Sequence, residues 1–370
     1  MKFPSSAHPR RKVLHFVTGG FSGATQVAID LVAAAQESRD FEALLVLRRK
    51  RTTDDARVQA LRDQGLHVEV VPGWFHWLSI WALARLCRRW RPDVVMAHGF
   101  PEHLIGRWAA RAAWVPAMVH VEHNSRERYS AFKLWQARWL ARRTARLVGV
   151  SEGVRETLVE LGMPAERTLA IPNGIDLNRF AGAEARPYES RSPGIVMSAR
   201  FARQKDQITL IHALALLKKK RGLVPKLHLA GAGKASLRTR AEALVRDLGL
   251  GSQVWFMGHH ADLPELLMSQ QIFVLSTHWE GMPLALVEGM AAGCACVASD
   301  VPGVEGVFVD GKSGLLVPER DPQALADVLE RLLLEPGHAA GLASEARLHA
   351  MRHHDRKLMM RRYEQLLLSL

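Results

Sequence analysis

The feature that most constrains this chain is a pattern that runs twice: short apolar, β-branched runs alternating with helical stretches. The first half opens with KVLHFVTGGFSGATQVAIDLVAAAQ, which reads as a strand, a Gly-rich turn and a helix. FEALLVLRR, HVEVVPG, DVVMAHG, AMVHVEHN and RLVGVSEGV follow, separated by helix-like segments. The second half restarts at GIVMSARFARQKD and continues through KLHLAGAG, VWFMGHH, IFVLSTHW, CACVASD and SGLLVPE. Strands that alternate with helices pair in parallel, because a parallel neighbour needs a crossover connection. The expectation is an α/β chain of two doubly wound, Rossmann-like domains facing each other across a central cleft. The turn-rich stretch IPNGIDLNRFAGAEARPYESRSPG reads as the linker. The predicted domains are residues 1–175 and 176–352, with a helix over 353–370 crossing back to the first.

A chain of 370 residues buries two ordinary cores without a disulfide or metal staple. Cys87, Cys294 and Cys296 fit no zinc or disulfide spacing, which points to a reducing compartment. The start, MKFPSSAHPRRKVLHFVTGG, has only a strand-length apolar run, too short for a secretory leader, and no apolar run reaches spanning length. The expected location is the cytoplasm, peripherally at the inner face of the membrane. The net charge of +13 is uneven: residues 1–180 hold 27 Lys+Arg against 17 Asp+Glu, and the remainder hold 23 against 20. The basic first half suits a polyanionic partner.

The turn TGGFSGATQ places Gly20 and Gly23 between the first strand and its helix, where bare backbone N–H groups meet a phosphate or a sugar. A tight turn explains it equally, and the dinucleotide G-x-G-x-x-G fingerprint is absent. His98 and His123 end two strands, where an imidazole bonds a substrate hydroxyl or moves a proton; a structural role competes. In SARFARQKD, Arg200 and Lys205 follow a strand and suit a diphosphate. AGAGK, with Gly231 and Gly233, is a weaker invitation to close backbone approach. HWEGMPLALVEGMAAG carries Glu280 and Glu288 among apolar neighbours, with Gly281, Met282, Pro283 and Leu284 leading into a helix. One element thus offers helix-start N–H donors and two carboxylates for ligand hydroxyls; solvated surface acids are the competing explanation.

In order along the chain these pieces resemble the retaining GT-B glycosyltransferases of family four. EGMPLALVE resembles that family's E-x(7)-E element, SARFARQKD its donor-phosphate element, and IPNGIDLNRF its interdomain phrase. VVMAHG and VHVEHN resemble two of its histidine-bearing strand ends. The resemblance implies a nucleotide-diphosphate sugar donor held mainly by the second domain. Arg200 and Lys205 would bind the diphosphate, Glu288 the ribose, and Glu280 the transferred sugar. Gly281, Met282, Pro283 and Leu284 would line the sugar–phosphate path. His123 would stand near the reacting sugar, Gly20 and Gly23 in the phosphate or acceptor loop, and His98 on the acceptor side. Gly23-Ala24-Thr25-Gln26 departs from the family, which often has an acidic–basic pair there.

No strand-end D-x-D offers a divalent metal site, since the aspartates of TTDDAR sit in a loop. The expectation is a metal-independent, cofactor-free, retaining transfer of a hexosyl or N-acetylhexosaminyl unit to a glycan or lipid-linked acceptor, in cell-envelope polysaccharide or lipopolysaccharide synthesis. WFHWLSIWALARLCRRWR and RERYSAFKLWQARWLARRTARL mix Trp, Leu and Arg at helical spacing. Such helices suit an anionic membrane surface, although the tryptophans could equally face the core. Two rivals remain: a hydrolysing nucleotide-sugar epimerase of the same shape, and a basic nucleic-acid-binding protein. No nucleic-acid-binding motif supports the second, so no nucleic acid is expected.

Overall fold

The computed structural model describes residues 10–126 and 129–370. The basic start over residues 1–9, on which the leader argument rests in part, lies outside the described residues. So do positions 127 and 128 of the second Trp/Arg-rich stretch. The chain divides into two compact units. One runs to Ile171 and includes Met360–Leu370; the other is Pro172–Met359.

The first unit is a seven-stranded parallel sheet: β1 (Arg11–Thr18), β2 (Phe41–Arg48), β3 (Val68–Val71), β4 (Val94–His98), β5 (Ala117–Glu122), β6 (Arg146–Gly149) and β7 (Thr168–Ala170). Their spatial order is β3-β2-β1-β4-β5-β6-β7. The helices of this part of the chain are α1 (Gly23–Glu37), α2 (Asp55–Asp63), α3 (His76–Trp90), α4 (Glu102–Ala112), α5 (Ala131–Ala141) and α6 (Glu152–Glu160). Leu14, Phe16, Leu44 and Val95 pack with Leu83 and Ile105 of α3 and α4. Val17, Leu45 and Leu47 pack with Val32 of α1 and Val58 of α2. With both faces covered, the central strands carry long buried apolar runs rather than a strict alternation. Each leucine so buried contributes roughly 1.5–3 kcal/mol.

The second unit holds β8 (Ser192–Ser198), β9 (Leu227–Ala230), β10 (Val254–Gly258), β11 (Gln270–Leu275), β12 (Ala295–Ser299) and β13 (Leu315–Val317), all parallel, in the order β10-β9-β8-β11-β12-β13. Its helices are α7 (Gln207–Arg221), α8 (Ala235–Asp247), α9 (Leu263–Ser269), α10 (Leu284–Ala291), α11 (Pro322–Leu334) and α12 (Pro336–His353). α13 (Arg356–Leu368) begins in this unit, and its residues from Met360 belong to the first.

Each sheet reverses its winding once. The reversal lies between β1 and β4 in the first sheet and between β8 and β11 in the second. At such a point neighbouring crossovers leave in opposite directions and open a crevice beyond the carboxyl ends of the strands.

Candidate functional site

The second unit's crevice is built from the segments after β8 and β11. Lys205 forms an isolated bridge with Thr277, which places its side chain beside the turn after β11. The Lys205 ammonium donates to Glu280 Oε1, and the Thr277 hydroxyl lies 2.8 Å from the same oxygen. Glu280 is only 6% exposed. A carboxylate persists at that depth because a cation and a hydroxyl repay part of its desolvation. Gly303 presses on it: a Cβ there would lie 2.1 Å from the Glu280 carbonyl oxygen.

α10 explains the apolar setting of the second glutamate. Leu286, Val287 and Met290 are buried. Gly289 lets the helix settle on Phe273 of β11, whose ring would lie 2.5 Å from an added Cβ. Pro283 takes the cap position and no side chain caps the helix start, so its first N–H groups need partners from elsewhere. Gly281, Met282 and Pro283 are buried and Leu284 is half-buried. Glu288 is half-buried, and Arg179 Nη1 lies 3.0 Å from its Oε1. Burial raises the Glu288 carboxyl above its ordinary pKa, and Arg179 opposes the shift.

Arg200 is exposed just beyond β8. Gly231 and Gly233 lie against this segment with φ of +144° and +153°. A Cβ on them would meet Ala199 O at 2.2 Å and Phe201 N at 2.4 Å. Their close approach is thus to the protein's own backbone, not to the ligand that the AGAGK spacing invited. Asn173 was not singled out by the sequence reading, although it lies within the IPNG phrase. Its N–H donates to Met282 Sδ at 2.9 Å, and its buried Oδ1 has no protein partner. Beside Lys205 a cavity of about 470 Å³ is lined by Arg203, Arg240, His278 and Arg320.

In the first unit, the turn after β1 is tied down around the glycines. Thr25 Oγ1 donates to Thr18 O at 2.9 Å and accepts from Ser22 N at 3.1 Å. Gln26 Nε2 donates to Asp30 Oδ1 at 3.0 Å. Thr25 therefore serves the helix start, and Gln26 pairs with the next turn of α1. Around Gly23, which opens α1, nothing lies within 4 Å of an added Cβ, and around Gly20 the nearest atom is at 3.6 Å. Gly23 leaves open space at the mouth of this crevice, while Gly20 is in ordinary contact with the hydroxyls of Thr18 and Thr52.

The two predicted histidines meet there. His98 Nδ1 and His123 Nε2 are 3.2 Å apart. On its other side His98 Nε2 is 3.2 Å from Nδ1 of His15, a residue of mid-β1 that the sequence pattern did not expose. Burial holds all three imidazoles far below their ordinary pKa, His15 and His123 at about 3.

A second group sits nearby on β5 and α4. His103, His120 and Glu122 lie close enough to share a cation. The arrangement does not fit one, because Arg107, fully buried, puts Nη2 2.6 Å from His103 Nδ1. A guanidinium only donates, so it occupies that lone pair and leaves His103 Nε2 to face Tyr129 Oη at 2.7 Å. His120 Nε2 is 3.3 Å from Glu122 Oε2. Glu102, also buried, is held by Arg48 at 3.2 Å and Lys50 at 2.9 Å. The adjacent aspartates of TTDDAR are structural: Asp54 caps α2 through Ala56 N, and Asp55 pairs with Arg49 at 3.0 Å.

The Trp/Arg-rich segments divide by face. α3 buries Leu83, Ala84, Leu86 and Cys87, while Trp74, Phe75, Trp77 and Trp81 are exposed, Trp74 at 85%. On α5, Phe132 and Trp135 are exposed. Among the described residues no helix is long and apolar enough to cross a membrane.

Residues 184–349 match the family model described as glycosyl transferases group 1, and residues 21–179 match that of glycosyltransferase family 4. The chain is 26% identical over 270 residues to the UDP-Gal:alpha-D-GlcNAc-diphosphoundecaprenol alpha-1,3-galactosyltransferase of Escherichia coli, covering 69% of this chain and 70% of that one. It is 24% identical over 368 residues to the lipopolysaccharide core biosynthesis glycosyltransferase LpsE of Rhizobium meliloti, covering 97% and 99%. The crystal structure of Anabaena HepE in complex with UDP superposes with a TM-score of 0.84 at 21% identity, over 97% of this chain and all of that one.

Proposed function

The chain belongs to the family 4, group 1 glycosyltransferases of GT-B fold, and from that premise we propose that it moves a hexosyl or N-acetylhexosaminyl unit from a nucleotide-diphosphate sugar, with retention, to a glycan or lipid-linked acceptor of the cell envelope. The observation that carries this reading is one of position. Arg200, Lys205, Glu280 and the start of α10 gather at the reversal of one sheet. Gly20, Gly23 and His98 gather at the reversal of the other, with His123 just past the end of the next strand, β5.

In this mechanism Arg200, Lys205 and the uncapped start of α10 neutralise the departing diphosphate, which removes the need for a metal ion. The donor's C1–O bond to phosphate breaks while the acceptor oxygen bonds C1 on the same face. The acceptor's proton passes to the leaving phosphate oxygen. Glu288 accepts from the ribose hydroxyls once Arg179 yields or shares it, Glu280 accepts from the transferred sugar, and His123 bonds a hydroxyl near the reacting carbon. No cofactor takes part. The exposed aromatics of α3 and α5, set among Arg85, Lys133 and other cations, suit an anionic bilayer at the cytoplasmic face, where a lipid-linked acceptor would be found.

Thermal shift against UDP-, GDP- and ADP-sugars tests the donor assignment. Stabilisation by one nucleotide series, lost in Lys205→Ala, is expected; no stabilisation by any of them would remove the donor site.

A further inference from the structure

His15, His98 and His123 lie on three neighbouring strand paths, β1, β4 and the end of β5. They are joined in file by two nitrogen–nitrogen contacts of 3.2 Å. Neighbouring rings are tilted by 25° and 29°, with centroids 5.5 and 5.4 Å apart. Each contact needs one proton, and a neutral imidazole carries one proton in all. That leaves two arrangements. If His98 holds its proton on Nε2, it donates to His15 Nδ1 and must accept from His123 Nε2, so all three rings are Nε2–H. If His98 holds it on Nδ1, it donates to His123 Nε2 and accepts from His15 Nδ1, so all three are Nδ1–H. Any mixture breaks a contact or charges a buried ring.

We propose that this file is a tautomer-coupled proton relay, in which His15 and His98 are positioning residues that set whether His123 offers Nδ1 as an acceptor or as a donor. The switch balances: one proton arrives at His123 Nδ1, each ring hands one on, and one leaves from His15 Nε2. The file is neutral before and after. The far end has an outlet. His15 lines a pocket of about 80 Å³ whose other polar lining includes Tyr363 and Glu364 of α13. That volume admits water, and the buried Tyr363 hydroxyl has no protein partner. Water there can take or return the proton. The groups around the file are His120, which is coupled to both His98 and His123, and, next to it, Glu122 and Arg107. Burial keeps all three rings neutral at physiological pH, which the relay requires. The use of the switch, matching His123 to a sugar hydroxyl that donates or accepts, rests on the glycosyl-transfer reading; the coupling itself does not.

The test is two-bond nitrogen–proton correlation spectroscopy of the full chain labelled at histidine, near neutral pH and without donor or acceptor. Equal tautomer populations are expected for His15, His98 and His123. His15→Phe should shift the His123 ratio several-fold, and His15→Gln, whose amide can pair in either sense, should restore it in part. His103, fixed by Arg107, should stay Nε2–H throughout. Unequal tautomers among the three rings of the wild type would overturn the relay even if His15→Phe does not fold. So would an unchanged His123 ratio in a folded His15→Phe protein. With no nucleotide sugar present, either result leaves the donor assignment to its own test.

Discussion

Arg179 Nη1 lies 3.0 Å from Glu288 Oε1, so the glutamate that the family resemblance assigns to a ribose already has a partner. The two act in opposite directions on one carboxyl: burial raises its pKa and Arg179 lowers it. A carboxyl raised above its unfolded value holds its proton more tightly when folded. Its ionisation therefore costs stability, increasingly as pH rises above the unfolded value. Glu288→Gln should keep or raise Tm at neutral pH, with the difference shrinking in mild acid. Arg179 is about half exposed, so its lost partner costs at most about 1 kcal/mol. The same variant should weaken nucleotide binding. A fall in Tm that is as large in mild acid as at neutral pH would contradict this account.

The Glu280 carboxylate is held by Lys205 and Thr277, and its backbone leaves no room for a side chain on Gly303. Gly303→Ala would put a methyl 2.1 Å from the Glu280 carbonyl oxygen and 2.8 Å from its Cβ, so the turn must move. Overpacking of this kind costs about 1–3 kcal/mol. Because the displaced group is the one assigned to the transferred sugar, turnover should fall much further than Tm. Steady-state rates beside thermal melts check this; near-normal turnover in Gly303→Ala would detach Glu280 from the chemistry.

Lys205→Ala separates a structural from a binding role. It leaves a buried carboxylate without its cation, which costs about 3–5 kcal/mol where the group stays charged. Lys205→Ala combined with Glu280→Gln should recover much of that stability, since neighbours are not additive. Nucleotide affinity should stay low in the double variant if Lys205 also holds the diphosphate. Melting curves and nucleotide titrations of the single and double variants decide, and recovery of both properties together would limit Lys205 to holding Glu280.

The strands were legible because both faces of each sheet are covered, which makes them mostly apolar runs. β7, three residues long, was too short to register. His98 and His123 stood out because polar residues end apolar strands there. His15 did not, because it sits inside such a run and its partner is 83 residues away. Lys205 and Glu280 were each legible, but their pairing across 75 residues was not. Arg179 lay in a phrase that reads as a linker by composition, and only the folded chain brings it to Glu288. Periodicity reports what is buried; it carries no record of which buried polar groups meet.

The exposed rings on α3 predict a surface effect without a stability effect. Trp77 and Trp81 are 68% and 56% exposed, so replacing both with serine should change folding stability by no more than about 0.5 kcal/mol each. If they insert into a bilayer interface at about 1.5 kcal/mol per ring, each loss should weaken vesicle binding roughly tenfold. Flotation with phosphatidylglycerol-containing vesicles measures it. Binding that is unchanged in the double variant would move the membrane contact elsewhere on the chain.

Four buried histidines and the partly buried His123 predict marked acid lability of the first unit. His15, His98, His103, His120 and His123 all have pKa values pushed down, in each case chiefly by burial. For a histidine lowered in the folded state, both states are neutral above the unfolded pKa and the group contributes nothing to the pH dependence. Below about pH 6.5 the unfolded chain takes up a proton that the folded chain refuses, and stability is lost as pH falls toward the folded value. Each such ring approaches a slope of about 1.4 kcal/mol per pH unit, so five acting together would exhaust an ordinary domain's 5–15 kcal/mol within about one or two units. Unfolding monitored by circular dichroism should therefore show a steep transition near about pH 5 that takes up several protons. Replacing His15 with phenylalanine removes one of them, so the transition should become shallower and move to lower pH wherever that variant folds. A gradual loss of structure spread down to about pH 3, with the slope of a single group, would show that these rings are not all held neutral.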